Sequence, residues 1–282
     1  MVGVLGVSAS AILVRFSQAP SGVTAAYRLG WTVLLLLPVV LLRCRAELRR
    51  VTARDLVLCG ASGVLLALHF LTWFESLKRT SVASSTVLVS TEVIFTALGF
   101  ALFLHGKIPR LGVWAILLAF GGSALLALSG GGGAGELSGN LLALAAASAA
   151  AVYTLIGRIQ RGHLSTTVYT FLTYLACFLP LLLGTAAAGT PLTGYGGREW
   201  LIGLALAVLC TLLGHSLFSW CLKYLSPSYV SAAKLCEPVF SSLAAIPLFG
   251  EVPGPLQLAG GAAVLGAVLL YTWAEREKTP AG

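Results

Sequence analysis

The residues able to do chemistry are few, and they sit where charge is costly. Glu92, Lys234 and Glu237 lie well inside long apolar runs, Arg28 lies about a third of the way into another, and His69 and His215 occupy comparable places in two more. An ionisable group at the centre of a membrane-spanning helix costs roughly 2.5–3.5 kcal/mol on insertion scales, so each is a candidate for substrate or ion contact. Lys234 and Glu237 are three residues apart, which on one helix places them on one face and allows an intramembrane pair. Both that structural pairing and direct contact with a solute fit the spacing. Glu92 has Val89 where its counterpart has Lys234, so its partner is expected from another helix, and Arg28 is the expected one. A Glu92 left unpaired would instead be a proton or substrate site. His69 and Trp73, four apart, give one helix face an imidazole and a large aromatic surface, with Tyr27 expected to meet them from the preceding helix. His215, Phe218 and Trp220 repeat the theme less regularly. Such an aromatic cavity suits amphipathic solutes, although a buried histidine is as readily satisfied by a backbone or hydroxyl group. Pro238, directly after Glu237, removes an internal hydrogen bond and is expected to kink its helix beside the acid.

The elements that must position these groups are transmembrane helices. Of 282 residues 57% are hydrophobic and only 10% charged, and the mean hydropathy is +0.92. Apolar runs of roughly 20 residues recur, as a ~30 Å hydrocarbon layer demands. The predicted spans are 2–16, 22–42, 55–76, 81–104, 111–129, 139–157, 164–185, 199–222, 226–249 and 255–273. The runs are continuously apolar rather than alternating, which excludes a β-barrel and makes the fold class all-α, a polytopic protein of ten helices. Breaks fall at Pro20-Ser21-Gly22, the Gly130–Gly135 tract, Thr190-Pro191, Ser226-Pro227 and 250–255. The run 2–16 would reach only about 22 Å at the helical rise, which reads as a trimmed or late-started N-terminus, and no cleavable signal peptide is expected. The six cysteines lie in or beside apolar runs without ligand spacing, so packing is their expected role. Glycines around 121–122, 260–261 and 266 are expected to permit close helix packing.

Ordered correspondences then divide the chain in two. His69, Lys78 and Glu92 match His215, Lys223 and Glu237, and Arg15, Tyr27, Pro38, Pro109 and Gly121 match Arg158, Tyr169, Pro180, Pro253 and Gly266, all at offsets of 142 to 146. Two five-helix units, 1–129 and 139–273, followed by a tail at 274–282, are the expected organisation. Because five is odd, the second unit enters the membrane from the opposite side, and inverted repeats suit alternating access. Charge agrees, since the loop Arg43–Arg54 carries five Arg while its counterpart, about 186–197, carries no Lys or Arg. With the N-terminus inside, 12 Lys and Arg fall on the cytoplasmic side and four outside, so both termini are expected in the cytoplasm, with a bacterial inner membrane as the expected location.

The chain resembles the EamA-like ten-helix branch of the drug/metabolite transporter superfamily. The resemblance is carried by Ala26-Tyr27-Arg28, by Cys236-Glu237-Pro238-Val239-Phe240 and by Leu248-Phe249-Gly250-Glu251. The first unit departs from the pattern, with Val93 after Glu92 and His105-Gly106-Lys107 where Gly-Glu would stand. The resemblance implies a secondary carrier, often an exporter, of amino acids, other small metabolites or drugs; a channel or lipid scramblase is the alternative. An enzyme is not expected. Asp55 is the single Asp, which excludes an aspartyl dyad, and His-Glu-x-x-His, Gly-x-Ser-x-Gly and Walker A sequences are absent. No cofactor, metal or nucleic acid is expected; the expected partners are a small-molecule substrate and the lipid bilayer, with the oligomeric state left open and a monomer compatible with the sequence.

Overall fold

The computed structural model describes residues 2–103, 109–129, 134–225, 227, 230, 234 and 236–276, and among these every regular element is helical. α1 (Val2–Phe16) leads through Pro20 into α2 (Ser21–Arg43), and a short α3 (Arg45–Leu48) precedes α4 (Ala53–Arg79). α5 (Val82–Val89), α6 (Glu92–Phe103), α7 (Arg110–Ser129), α8 (Ala134–Gln160) and α9 (Thr166–Ala187) follow. α10 (Gly197–Ala205), a π-helical stretch at Leu206–His215 and α11 (Ser216–Cys221) run on without a break, and α12 (Cys236–Phe249) and α13 (Pro255–Arg276) end the described chain.

Among the described residues seven segments are long and apolar enough to cross a membrane: Ser21–Arg43, Ala53–Arg79, Val82–Phe103, Gly135–Gln160, Thr166–Ala187, Gly197–Cys221 and Pro255–Ala274. Three shorter apolar helices accompany them, Leu5–Phe16, Arg110–Leu126 and Glu237–Phe249. The outer surface is apolar, with Leu42, Phe103, Trp114 and Leu183 all well exposed, whereas Arg28, Thr32, Ser62 and Thr173 are fully buried. That inside-out distribution is what hydrocarbon solvent selects.

Local chemistry sets the helix ends. Thr52 and Asp55 form a reciprocal capping box at the start of α4, and Ser81 and Ser165 accept from Ser84 N and Val168 N at the starts of α5 and α9. One break was not expected. The predicted helix 81–104 is interrupted at Ser90-Thr91, where Ser90 Oγ donates to Thr86 O (2.9 Å) and Thr91 Oγ1 to Leu88 O (2.6 Å). Hydroxyl groups thus satisfy the last carbonyls of α5 and let a new helix begin at Glu92 without any proline.

The helices pack through glycine where backbones meet. A Cβ on Gly63 of α4 would lie 2.5 Å from Thr173 O and 2.6 Å from Ala176 Cβ of α9. Gly122 of α7 and Gly260 of α13 face each other, a Cβ on either meeting the other's carbonyl oxygen at 2.9 Å. The expected close packing is therefore met at Gly122 and Gly260, while Gly121 and Gly266 face open space. α2, α4 and α9, with α1 against the π-helical stretch, enclose the core in which the polar residues gather.

Candidate functional site: a central polar cavity

Arg28 projects from α2 into the interior and is completely buried. Its Nε donates to Thr211 Oγ1 (2.8 Å), its Nη1 to Ser10 Oγ of α1 (3.2 Å), and the guanidinium lies over the Phe70 ring, 4.1 Å from its centroid. Its Nη2 has no hydrogen-bond partner among the described residues. Thr211 belongs to the π-helical stretch, where its own Oγ1 reaches back five residues to Leu206 O (3.3 Å). Such widened turns are rare and gather at functional sites.

Glu92 stands in the first turn of α6, at the mouth of the Ser90-Thr91 break. Lys234 Nζ contacts both of its carboxylate oxygens (2.9 and 3.1 Å), and Thr154 Oγ1 of α8 donates to Oε1 (2.8 Å). Two sequence expectations are thereby corrected. Glu92 pairs with Lys234 rather than Arg28, and Lys234 does not pair with Glu237. The reason is that Lys234 Nζ is held between both oxygens of the Glu92 carboxylate, on another helix. Glu237, also nearly buried, forms no hydrogen bond or ion pair among the described residues. Pro238 falls in the first turn of α12, where a proline gives up no helical bond, so it starts a helix instead of kinking one.

His69 Nδ1 donates to Ala146 O (3.0 Å), the satisfied state that a buried imidazole seeks, and Trp73 stacks on its ring (5.9 Å between centroids, 20°). The indole Nε1 of Trp73 is buried without a partner among the described residues. His215 meets His69, Phe70 and Tyr153 edge-on, with centroids 6.4, 5.5 and 6.3 Å apart. All of these side chains line one cavity. Arg28, His69, Trp73, Glu92, His215, Lys234 and Glu237 form its polar wall with Ser10, Ser90 and Tyr153, and Val7, Leu66, Val89 and Ala150 supply apolar surface. The free space is about 40 Å³, room for roughly three waters at ~10–15 Å³ each.

Two expected members lie elsewhere. Tyr27 stacks on Trp200 (4.2 Å, 17°), donates to Leu192 O (2.5 Å) and lines a separate, apolar cavity. Neighbouring residues on a helix point ~100° apart, so once Arg28 faces the centre Tyr27 must face the flank. Trp220 is half exposed and packs on Tyr224 (5.1 Å), because five residues beyond His215 the helix has turned roughly 140° from it. Conversely, Ser10, Tyr153, Thr154 and Thr211 belong to the site and were not singled out. Hydroxyl residues are common in apolar helices, and only the fold distinguishes those turned to the centre.

The two ends of the bundle are joined by contacts of one design. At the end where α2 begins, Glu199 of α10 accepts from Ser17 Oγ (2.6 Å) and Gln18 N (3.1 Å), in the turn after α1. At the end where α4 begins, Asp55 accepts from His163 Nε2 (2.7 Å) and Gln160 Nε2 (3.2 Å), in the turn after α8. Arg15 Nη1 donates to Leu77 O (2.6 Å) and Arg158 Nη1 to Leu222 O (2.5 Å). Arg15 is also paired with Glu251.

An all-helical bundle with an apolar exterior and a charged interior cavity defines a multi-pass membrane protein. Its sequence identifies it further. The chain belongs to the EamA-like transporter family, whose model matches residues 1–128 and again residues 137–273. It is therefore a transporter and not an enzyme. Among curated relatives it is similar to the probable terminal-alkyne amino-acid exporter of Streptantibioticus cattleyicolor, 28% identical over 79% of this chain and 75% of that one. It is similar also to the pseudopaline exporter CntI of Pseudomonas aeruginosa, 24% identical over 73% and 72% of the two chains. The threonine/homoserine exporter RhtA of Escherichia coli is 26% identical over 59% and 56%. A solved crystal structure shares the fold, with a TM-score of 0.67 over 96% of this chain and 94% of that chain at 18% identity.

Proposed function

We propose that the chain is a secondary active exporter of small organic solutes, amino acids, related metabolites or drugs, working by alternating access in the cell membrane. In this reading the seven long and three short apolar helices are ten spans, arranged as two inverted five-helix units with both termini in the cytoplasm. The observation that carries it is the matched pair of end contacts. Asp55 and Glu199 occupy equivalent places in the two family-matched halves, and each holds the turn after the first helix of the other half. Arg15 and Arg158, with Leu77 and Leu222, repeat one contact within each half. The clasps stand at opposite ends of the bundle with the charged cavity between them, so opening one while the other stays shut would expose the cavity to one side at a time. Lys and Arg crowd the Asp55 end, which supports a cytoplasmic placement for it. The relatives' exports, by name a terminal-alkyne amino acid, pseudopaline and threonine or homoserine, support a small organic solute moving outward.

The test is purified protein in proteoliposomes, screened against amino acids and other metabolites with and without an imposed proton gradient. Saturable, stereoselective flux with counterflow is the expected outcome. Flux without saturation or counterflow identifies a channel or lipid scramblase, and no flux of any compound under either condition refutes the carrier reading.

A further inference from the structure

A second polar cavity, of about 370 Å³, lies at the Asp55 end of the bundle, away from the central one. Its wall joins the turn after α8, the start of α9 and the end of α11, through Arg161, His163, Thr166, Trp220, Lys223 and Tyr224. Arg161 is only 3% exposed. Its Nε donates to Ser219 O (3.0 Å) and its Nη1 to Leu164 O, while its Nη2 makes no hydrogen bond among the described residues. Two backbone carbonyls thus fix the guanidinium in place without neutralising it. The acids nearby are committed elsewhere: Glu47 Oε1 accepts from Ser165 N (2.6 Å), and Asp55 accepts from His163 Nε2 (2.7 Å). Among the described residues neither Arg161 nor Lys223 pairs with a carboxylate. Thr166 opens the 22-residue helix α9, whose first-turn amides add positive potential to the same wall.

We infer that this cavity receives the head-group phosphate of an anionic phospholipid from the leaflet at the Asp55 end. Charge selects an anion, because two unpaired cations and a helix N-terminus face the space. A guanidinium held by its backbone contacts, an ammonium and helix amides are the donors that phosphate oxygens accept from. The rim selects a lipid over a soluble anion. Trp220 and Tyr224 are 49% and 61% exposed on the outer surface with ring centroids 5.1 Å apart, and Lys223 Nζ lies 5.9 Å from the Tyr224 ring. Tryptophan, tyrosine and lysine grouped at the end of a membrane-spanning segment mark the depth at which head groups meet acyl chains. The volume falls in the range of pockets that take small ligands. The site holds whichever solute the protein carries, and it has a mechanical consequence. His163 lines the cavity and also holds Asp55, so a lipid bound there steadies the turn that clasps the start of α4.

The experiment uses the purified full chain, stripped of co-purifying lipid in detergent and titrated with short-chain phosphatidylglycerol, phosphatidylcholine of the same chain length, glycerol phosphate and inorganic phosphate. Thermal protection is read by tryptophan fluorescence and retained lipid by native mass spectrometry. Phosphatidylglycerol is expected to protect and to stay bound. Phosphatidylcholine should be at least about tenfold weaker, because its choline offsets the phosphate charge that the cations seek. The two soluble anions should give no protection at matched concentration. Lys223→Gln should cut the preference for phosphatidylglycerol about fivefold, whereas Arg110→Gln, which removes an exposed cation outside the cavity, should leave it unchanged. Arg161→Lys keeps the charge but loses the planar fork, and should lower the preference by a similar factor; if that variant does not fold, Lys223→Gln against Arg110→Gln decides. Equal binding of the two lipids, or equal losses in Lys223→Gln and Arg110→Gln, overturns the inference. Protection by glycerol phosphate or inorganic phosphate as strong as by phosphatidylglycerol overturns it too, since the cavity would then be a site for soluble anions.

Discussion

Replacing Lys234 by Met tests the pairing on which the site's charge balance depends. Lys234 and Glu92 have side-chain exposures of 16% and 8% and meet at 2.9 Å, so neither is well hydrated and each neutralises the other. Removing one partner of a buried pair costs ~3–5 kcal/mol, whereas replacing both with groups of similar volume is close to neutral. For a chain of this length each kcal/mol moves the thermal midpoint by about 2–3 °C. Lys234→Met should therefore lower the midpoint by ~6–15 °C, and Glu92→Gln by a comparable amount because it strands the lysine. The double variant Glu92→Gln/Lys234→Met should return to within ~3 °C of the parent, since the glutamine can still accept from Thr154. The midpoint is followed by tryptophan fluorescence of the detergent-purified protein, with size-exclusion profiles confirming that each variant is folded. If Lys234→Met leaves the midpoint within ~2 °C of the parent, or the two single losses simply add in the double variant, the pair is not the interaction described. A pairing of Glu92 with Arg28 instead would give the first of those results.

The end clasps make opposite predictions for two conservative variants. In a cysteine-free background with a reporter at Ala150→Cys in the cavity wall, Asp55→Asn should raise labelling by an impermeant maleimide severalfold from the side on which α4 begins. Glu199→Gln should raise it from the other side, and an increase on the same side for both would reject alternating gates. Gly63→Ala forces α4 and α9 apart and should cost ~1–3 kcal/mol by overpacking, whereas Gly60→Ala, with open space before it, should be neutral or slightly stabilising; thermal midpoints of the two variants check this. Tyr27→Phe removes a bond to Leu192 O on the flank, so it should leave substrate preference in counterflow unchanged; an altered preference would return Tyr27 to the site.

Helix positions and the composition of the cavity were largely legible in the sequence, because both follow from the cost of charge in hydrocarbon. Any ionisable residue within an apolar run has to face the interior, so Arg28, Glu92, Lys234, Glu237 and the two histidines were marked before any contact was known. The pairings among them were not legible. Spacing of three allows a shared face but does not choose the partner, and Lys234 Nζ is taken by the Glu92 carboxylate of another helix. The interruption ahead of Glu92 was hidden for a similar reason: it depends on Ser90 and Thr91 hydroxyls turning back on α5, which the same residues need not do in an unbroken helix. Tyr27 and Trp220 were drawn in by type, and only the rotation of their helices places them on the flanks.

The two halves supply the cavity with charge in a crossed arrangement, and this explains why matching carboxylates have come to differ. The first half brings Arg28 and Glu92, the second Lys234 and Glu237; where the first has Val89 the second has Lys234, and where the first has Arg28 the second has Thr170. Lys234 reaches across to the acid of the other half. A pair that joins the halves at the centre resists their separation. Under the proposed mechanism the Glu92–Lys234 contact is then the pivot about which the halves rock, and Arg28 and Glu237, one from each half, are the groups whose separation changes as they do. A ligand bridging those two groups binds the conformation that brings them together better than the one that parts them. Its binding therefore biases the equilibrium by the difference between those affinities and by no more than that.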